Sequence, residues 1–208
     1  MSKAVNTIAR GIEAGALKAG ASQYLEALEA AKRELKWGQV LLIVTIDFDP
    51  DYSEDSILLF DFGEVYGIER MDITKTSGRQ DVKEAYFGEG IDYLGEDGRV
   101  LFGSKNMEFL NVLELPKNLK TISANAFAGA NSATKDLHLP EGLREIGASA
   151  FEKWGAANWY GENIPAIYIP DTVETIGANA FKDVPHIYYN GPATWPEGND
   201  RWGAMKMN

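Results

Sequence analysis

The most regular feature of the chain is a pattern of apolar positions that occurs three times in its second half. The copies read LELPKNLKTISANAF, LHLPEGLREIGASAF and IYIPDTVETIGANAF. Six apolar columns step by 24 residues and then by 30; the first holds Leu113, Leu137 and Ile167, and the last holds Phe127, Phe151 and Phe181. A period of this size is typical of a solenoid, in which each repeat forms one coil and buries its apolar row against its neighbours.

Within each copy, the residues before the proline alternate between apolar and other side chains, which predicts a short strand. The side chains between the inward ones then point outward and align from coil to coil. One outward ladder holds Glu114, His138, Tyr168 and Tyr188, and the neighbouring one includes Asp136 and His186. We hypothesise a binding surface here, because Tyr and His combine an apolar body with a polar tip. The alternative is that these residues occupy ordinary exposed strand positions.

The second interval is six residues longer than the first, and the extra residues must lie between Phe151 and Ile164, where the sequence reads EKWGAANWYGEN. Trp154, Trp159 and Tyr160 lie in this stretch among Gly, Ala and Asn. Aromatic residues in a loop on a rigid scaffold are common binding residues. The alternative, which we favour slightly, is that they fold back and cover the side of the solenoid.

The first half of the chain has a different pattern. Residues 1–36 are rich in Ala, with Leu25, Leu28 and Leu35 at helical spacing, which predicts one or two helices. These leucines either dock the protein on another chain or pack on the strand from Val40 to Ile46. Residues 37–108 read as an acidic β-rich domain that ends in the N-terminal cap of the solenoid, and QVLLIVTIDFD and SILLFDFG within it predict a hairpin or sheet.

The predicted fold class is therefore α+β, with N-terminal helices and a small β-rich region before a short solenoid of parallel strands. The solenoid is expected over residues 109–191, as three repeats and a terminal cap. Residues 192–208 read as an irregular tail.

The formal net charge of −11 is concentrated in the middle of the chain, where residues 47–97 hold fifteen acids against four bases. Such a surface repels nucleic acid and anionic lipid, and it also aids solubility. No apolar run is long enough to predict membrane insertion. There is no cysteine, so disulfides and thiolate catalysis are excluded.

The repeats resemble the BspA-like leucine-rich repeats, whose units read LxxLxLPxxLxxIxxxAF. Leu110, Thr134, Ile164 and Val184 supply the leading position. The fourth unit, VPHIYYNG, is short and looks like a terminal cap, with Trp195 and Trp202 available to cover the last coil. The resemblance implies a right-handed solenoid with a parallel sheet. It also implies a non-enzymatic protein that presents side chains to other macromolecules, as such repeats do on bacterial surfaces, in some eukaryotic microbes and in phage proteins.

Motifs for enzymatic chemistry are few. Asp47 and Asp49 follow an apolar run, but Tyr52 and Leu58 stand where a calcium loop needs Gly and Glu. No GxSxG or GxxxxGK motif occurs, and both His residues fall on repeat positions. We therefore predict no catalytic residues, no metal ligands and no cofactor. A metal-dependent enzyme that uses Asp47 and Asp49 is a remote alternative.

Two functions remain from this pattern. The first is a structural or accessory protein that displays the repeats on a larger assembly, most simply a phage virion, as a head or tail decoration protein. The lack of a signal peptide and the lack of cysteine favour this function. The second is a bacterial surface or secreted adhesion protein whose export signal was removed. The expected partners are proteins of the assembly, a surface receptor or a glycan, with a possible homo-oligomer through the N-terminal helices.

Overall fold

A computed structural model of the chain describes residues 29, 32–49, 52–62, 65–69, 71, 79–96, 98–102, 107–158 and 164–207. Short strands joined by tight turns make up most of this structure. In chain order they are β1 (Gln39–Asp49), β2 (Tyr52–Asp61), β3 (Gly67–Ile68), β4 (Arg79–Phe87), β5 (Tyr93–Leu94), β6 (Val112–Glu114), β7 (Thr121–Ile122), β8 (Leu137–His138), β9 (Glu145–Ile146), β10 (Ala166–Tyr168), β11 (Thr175–Ile176), β12 (His186–Tyr188) and β13 (Lys206–Met207). Two short 3-10 segments span Ala156–Asn158 and Asp200–Gly203.

The coils form a parallel-strand solenoid of about three turns. The coils contribute the equivalent strands β6, β8, β10 and β12. Of these, β8, β10 and β12 form one parallel row, and β6 lies at the edge of another sheet. The three full coils contribute β7, β9 and β11 to the five-stranded sheet β11-β9-β7-β5-β3. Leu137, Ile167 and Ile187 lie in register in the first row, and Leu94, Ile122, Ile146 and Ile176 in the second. The predicted parallel solenoid is therefore confirmed.

The last column of the repeat forms a stack of rings inside the solenoid. Phe127, Phe151 and Phe181 are fully buried, with centroids 5.4 Å and 5.9 Å apart and nearly parallel planes. Each coil thus supplies the surface on which the next coil packs, as expected for a chain whose single repeats cannot bury their own apolar row.

The β-rich first half extends the same structure. Strands β1 and β2 form the predicted antiparallel hairpin, and β4 pairs antiparallel with β1 and parallel with β6. Ala85 of β4 lies in register with Leu113 of β6, and Leu94 of β5 with Ile122 of β7. Strand pairing is therefore continuous across residue 108, while the predicted domain boundaries at residues 36, 108 and 191 stay predictions.

The outward side of this first sheet carries a small apolar cluster, which we call the covered patch: Leu41, Ile43 and Tyr86. All three are less than 5% exposed, and Leu35 packs against them. The ammonium group of Lys32 lies 4.0 Å from the ring centroid of Tyr86. The segment before β1 therefore crosses the outer face of the sheet.

The N-terminal helices of the predicted α+β class are not supported. Between residues 29 and 36, only Glu29, Lys32 and Arg33 are helical among the described positions. Leu25 and Leu28 lie outside the described residues. In the described part, apolar residues alternate along strands or lie in turns bonded to the next coil, and this arrangement satisfies the backbone without long helices. No helix in the described ranges has the length and apolar character that crossing a membrane requires.

The C-terminal tail is more ordered than predicted. Lys206–Met207 form β13, which adds a parallel strand beside β12, so the prediction of an irregular tail is wrong at this point. Trp202 is fully buried and contacts Tyr189 edge to face at 5.6 Å. Trp195 contacts Trp202 at 5.5 Å and is 44% exposed. The predicted covering of the last coil is confirmed for Trp202.

Candidate binding surface

The outward side of the last coils carries a stack of rings, which we call the aromatic ladder: His138, Tyr168 and Tyr188. These residues are register partners on β8, β10 and β12. Their ring centroids are 4.4 Å and 4.6 Å apart, with interplanar angles of 9° and 4°. Neighbouring strands lie about 4.8 Å apart, so rings in one column stack at the strand spacing. The ladder is a partly exposed ridge with a preformed geometry.

Asp136 supports the middle of the ladder. Its Oδ1 accepts a hydrogen bond of 2.9 Å from the backbone N–H of Ala166, at the start of β10. Burial between its neighbours raises the pKa of Tyr168, and the negative charge of Asp136 adds to this shift. The Tyr168 hydroxyl therefore stays protonated at neutral pH and can both donate and accept a hydrogen bond.

The second predicted column is also formed. His186 is the register partner of Ala166 on one side and of Lys206 on the other. Burial lowers the pKa of His186, and the positive charge of Lys206 lowers it further. Since the ordinary value is about 6.5, the imidazole is neutral at pH 7.

Glu114 does not continue the ladder as a strand neighbour of His138. It lies on β6, the edge of the first four-stranded sheet, and its register partner is Tyr86 of β4. Strand β8 is the edge of a separate four-stranded sheet. Leu137 and Ile167 are thus in register, whereas Leu113 of the same repeat column pairs with Ala85.

A cleft of about 380 Å³ lies at this interruption between β6 and β8. Its lining includes Glu114, Lys135, Asp136, His138 and Trp154. Beside them, the Oδ1 atom of Asn111 accepts hydrogen bonds from the backbone N–H and the hydroxyl of Thr134, at 2.8 Å and 2.7 Å. This side-chain bridge joins the two coils where no backbone ladder does.

Trp154 lies in the interior rather than in an exposed loop. It is 1% exposed and contacts Phe151 edge to face at 6.1 Å. Gly155 follows with a φ of +67°, and a Cβ there would lie 2.2 Å from the Pro165 ring, so the turn that buries Trp154 requires glycine. This placement agrees with the packing alternative for Trp154. Trp159 and Tyr160 lie outside the described residues, and their role stays a prediction.

A second exposed aromatic pair was not predicted. Trp37 and Tyr66 are 45% and 64% exposed and contact each other edge to face at 5.2 Å. The Trp37 indole N–H donates a 2.6 Å hydrogen bond to the carbonyl of Val65. The two residues lie far apart in the sequence and outside the repeats, so the repeat pattern carries no signal for this pair.

The described residues offer little for metal or acid–base chemistry. No group of three or more His, Asp or Glu among them could hold a metal ion. Asp47 and Asp49 lie at the end of β1, where its register with β2 shifts. A leucine-rich-repeat solenoid is typically a binding scaffold rather than an enzyme.

Comparison with known proteins finds a family model that matches the repeats. No curated protein was found to match the chain. Residues 101–189 match the BspA type leucine rich repeat region, in six copies. The match begins before residue 109 and so includes part of the coil that β4 and β5 begin. It agrees with the column spacing of the sequence and with the stacked coils of the structure. Residues 101–189 of this chain are therefore similar to the BspA-type leucine-rich repeats that its apolar columns resemble.

Proposed function

We propose that this chain is a non-enzymatic accessory protein that displays its leucine-rich repeats on a larger assembly and binds a protein partner through the aromatic ladder. The assembly we propose is a phage virion. The observation that carries the proposal is the contrast along one outer face, where the covered patch is buried under Leu35 while the ladder is left open.

The ladder has the properties of a protein-binding surface. Tyr and other aromatic residues are enriched at interface cores, where they combine large contact area with hydrogen bonding. The rings of His138, Tyr168 and Tyr188 already restrain one another by stacking. Binding then loses less side-chain entropy than it would with free side chains. The family assignment agrees, since BspA-type repeats suggest a protein-binding or adhesion module.

Charge indicates the kind of partner. The net charge of −11 creates a field that speeds association with basic surfaces and slows association with acidic ones. Near the ladder, Asp136 adds a local negative charge beside Tyr168. We therefore propose a partner surface with exposed basic residues around an apolar centre.

The double substitution Tyr168→Ala with Tyr188→Ala tests the ladder. Binding of the purified protein to isolated particles of the assembly should weaken at least tenfold, since buried aromatic contacts at an interface often contribute about 2 kcal/mol or more. Tyr66→Ala is the matched control, because it removes a more exposed tyrosine that is not part of the ladder. Equal binding by the double variant and the control contradicts a role for the ladder.

Mass spectrometry separates the virion from the alternative location. We expect peptides of this chain in purified virions at a fixed ratio to the particle proteins. Their recovery from the cell-wall or secreted fraction, with none in virions, would instead support the bacterial adhesion protein. The family assignment is compatible with both locations.

Attachment to the assembly, or to copies of the same chain, is assigned to the residues before Leu35. Leu35 itself packs on the covered patch, which favours an internal role for this residue. Leu25 and Leu28 remain the proposed docking residues. Deletion of residues 1–28 leaves Leu35 in place, so the melting transition should be retained while light scattering shows a smaller species or incorporation fails. A truncated protein that retains its size and incorporates normally contradicts docking through Leu25 and Leu28.

A further inference from the structure

We propose that the cleft between β6 and β8 binds a neutral saccharide. The inference goes beyond the proposed protein partner, because it assigns a second ligand class to one end of the same outer face. It depends on the shape of the cleft, on an indole N–H that has no partner in the described part of the chain and on the open end of the aromatic ladder.

The cleft interrupts an otherwise regular structure. Strands β8, β10, β12 and β13 form one sheet and β2, β1, β4 and β6 another, and the cleft lies where the two sheets meet. On the five-stranded sheet the same coils stay joined, since β7 and β9 pair in register. A volume of about 380 Å³ is at the small end of the range of about 300 to 1,000 Å³ for ligand sites. This size suits one or two sugar rings.

Trp154 supplies a donor that has no acceptor. It lines the cleft although it is 1% exposed, which places it at the bottom. Its Nε1–H is buried and has no hydrogen-bond partner among the residues that the structure describes. A buried donor without a partner is costly, so a ligand that brings an acceptor gains affinity.

The carboxylates at the mouth of the cleft supply acceptors. Glu114 and Asp136 both line it, and the Ala166 N–H holds Asp136 in place while leaving further lone pairs on the carboxylate. A sugar hydroxyl can donate to a carboxylate and accept from the Trp154 indole. A guanidinium or ammonium group only donates, so it leaves Trp154 unsatisfied. The lining therefore favours a polyol over a basic side chain.

His138 supplies a ring face. One face of the imidazole stacks on Tyr168. Since β8 is the edge strand beside the cleft, the other face is turned toward the cleft. The apolar face of a sugar ring can pack there, which extends the aromatic ladder by one layer.

The charge of the site indicates a neutral sugar. Two carboxylates, Glu114 and Asp136, stand against one ammonium group, Lys135, in a molecule whose net charge is −11. Sugars that carry a carboxylate or sulfate are repelled by this field. Neutral hexoses and N-acetylhexosamines should therefore bind better than uronic or sialic acids.

Two matched tryptophan variants test the proposal. Trp154 and Trp202 both have a buried indole N–H without a partner in the described ranges, but of the two only Trp154 lines the cleft. Calorimetric titration of the full chain with neutral oligosaccharides of glucose, galactose, mannose and N-acetylglucosamine should show binding to at least one of them. Trp154→Phe should weaken that binding about three- to tenfold, as expected for one lost hydrogen bond, and Trp202→Phe should leave it unchanged.

The double variant Glu114→Gln with Asp136→Asn provides a second test of sugar binding if Trp154→Phe does not fold. Both substitutions keep the side-chain shape, and Asn can still accept from the Ala166 N–H. This variant should also bind the sugar more weakly, whereas Tyr188→Ala should not, because Tyr188 does not line the cleft. The protein-binding function is tested separately. If it is wrong, the double variant Tyr168→Ala with Tyr188→Ala will bind the assembly as well as the Tyr66→Ala control does.

Three outcomes would overturn the proposal. The first is no binding of any neutral sugar in the panel. The second is binding that Trp154→Phe and Trp202→Phe weaken equally. The third is a preference for sialylated or uronic sugars over neutral ones.

Discussion

The covered patch and the aromatic ladder both consist of side chains at outward-facing strand positions. They differ in their exposure to solvent. Leu41 and Tyr86 are register partners on β1 and β4, and Tyr168 and Tyr188 are register partners on β10 and β12. All four side chains point away from the main core. The first two are buried, whereas the second two remain partly exposed. Strand alternation decides that a residue points outward, but the rest of the chain decides whether it meets solvent.

The chemistry of the two tyrosines follows the same difference. Burial is the main reason why the pKa of Tyr86 is raised, and its hydroxyl also donates a hydrogen bond to Glu84. Lys32 lies over its ring. Tyr86 is thus engaged within the protein. The ladder tyrosines stack only on each other and on His138 among the ring contacts of the described residues, which leaves their edges available to a partner.

The largest loss of stability is expected for a substitution in the core that lies beneath both regions. Phe151 is fully buried between Phe127 and Phe181, so Phe151→Ala should lower the free energy of unfolding by about 3 to 5 kcal/mol in a denaturant titration. Phe109→Ala is the control, because Phe109 is 38% exposed and should cost much less. A loss below about 1 kcal/mol for Phe151→Ala would show that the ring stack is not a common core.

The next largest loss of stability is expected for a substitution in the covered patch. Leu41 is 2% exposed but belongs to a small cluster outside the main core. Leu41→Ala should therefore cost about 2 to 3 kcal/mol, in the lower part of the range for buried leucines. Denaturant titration at constant pH measures it. If Leu41→Ala lowers the free energy of unfolding no more than Tyr168→Ala on the ladder does, the patch is not covered as described.

Substitution of the ladder should affect stability less. Tyr168→Ala removes two stacked cross-strand pairs from a partly exposed face. Such pairs contribute about 0.2 to 1 kcal/mol each, so the expected loss is about 1 kcal/mol. Thermal unfolding with a parallel binding assay should show a small change in stability together with a large change in affinity. A stability loss like that of Phe151→Ala would assign the ladder to the core.

The smallest effect is a pH dependence at the edge of the ladder. Burial and Lys206 lower the pKa of folded His186, so the unfolded chain binds the proton more readily. Stability is therefore retained above about pH 6.5, the ordinary value, and falls as the pH drops through it. His186→Gln should lose less stability than the unmodified protein between pH 7 and pH 5, measured by thermal melting. An equal loss in both would show that other groups carry the acid sensitivity.

The sequence by itself determined the repeat. The apolar columns, the inward and outward positions and the ladder of His138, Tyr168 and Tyr188 all follow from alternation along a strand and from a repeated period. Both are local properties, so a single chain displays them directly. The family match over residues 101–189 covers the same columns.

Only the tertiary structure decided which outward positions are covered and where the sheet is interrupted. Leu35 on the covered patch, Trp154 beneath the cleft and Tyr66 beside Trp37 are contacts between segments without a shared period. Likewise, Asn111 bridges to Thr134 where a regular repeat would continue the backbone ladder. These features depend on how side chains of different size fit between coils. A repeat pattern records which residues face inward, but it does not record the space left between them.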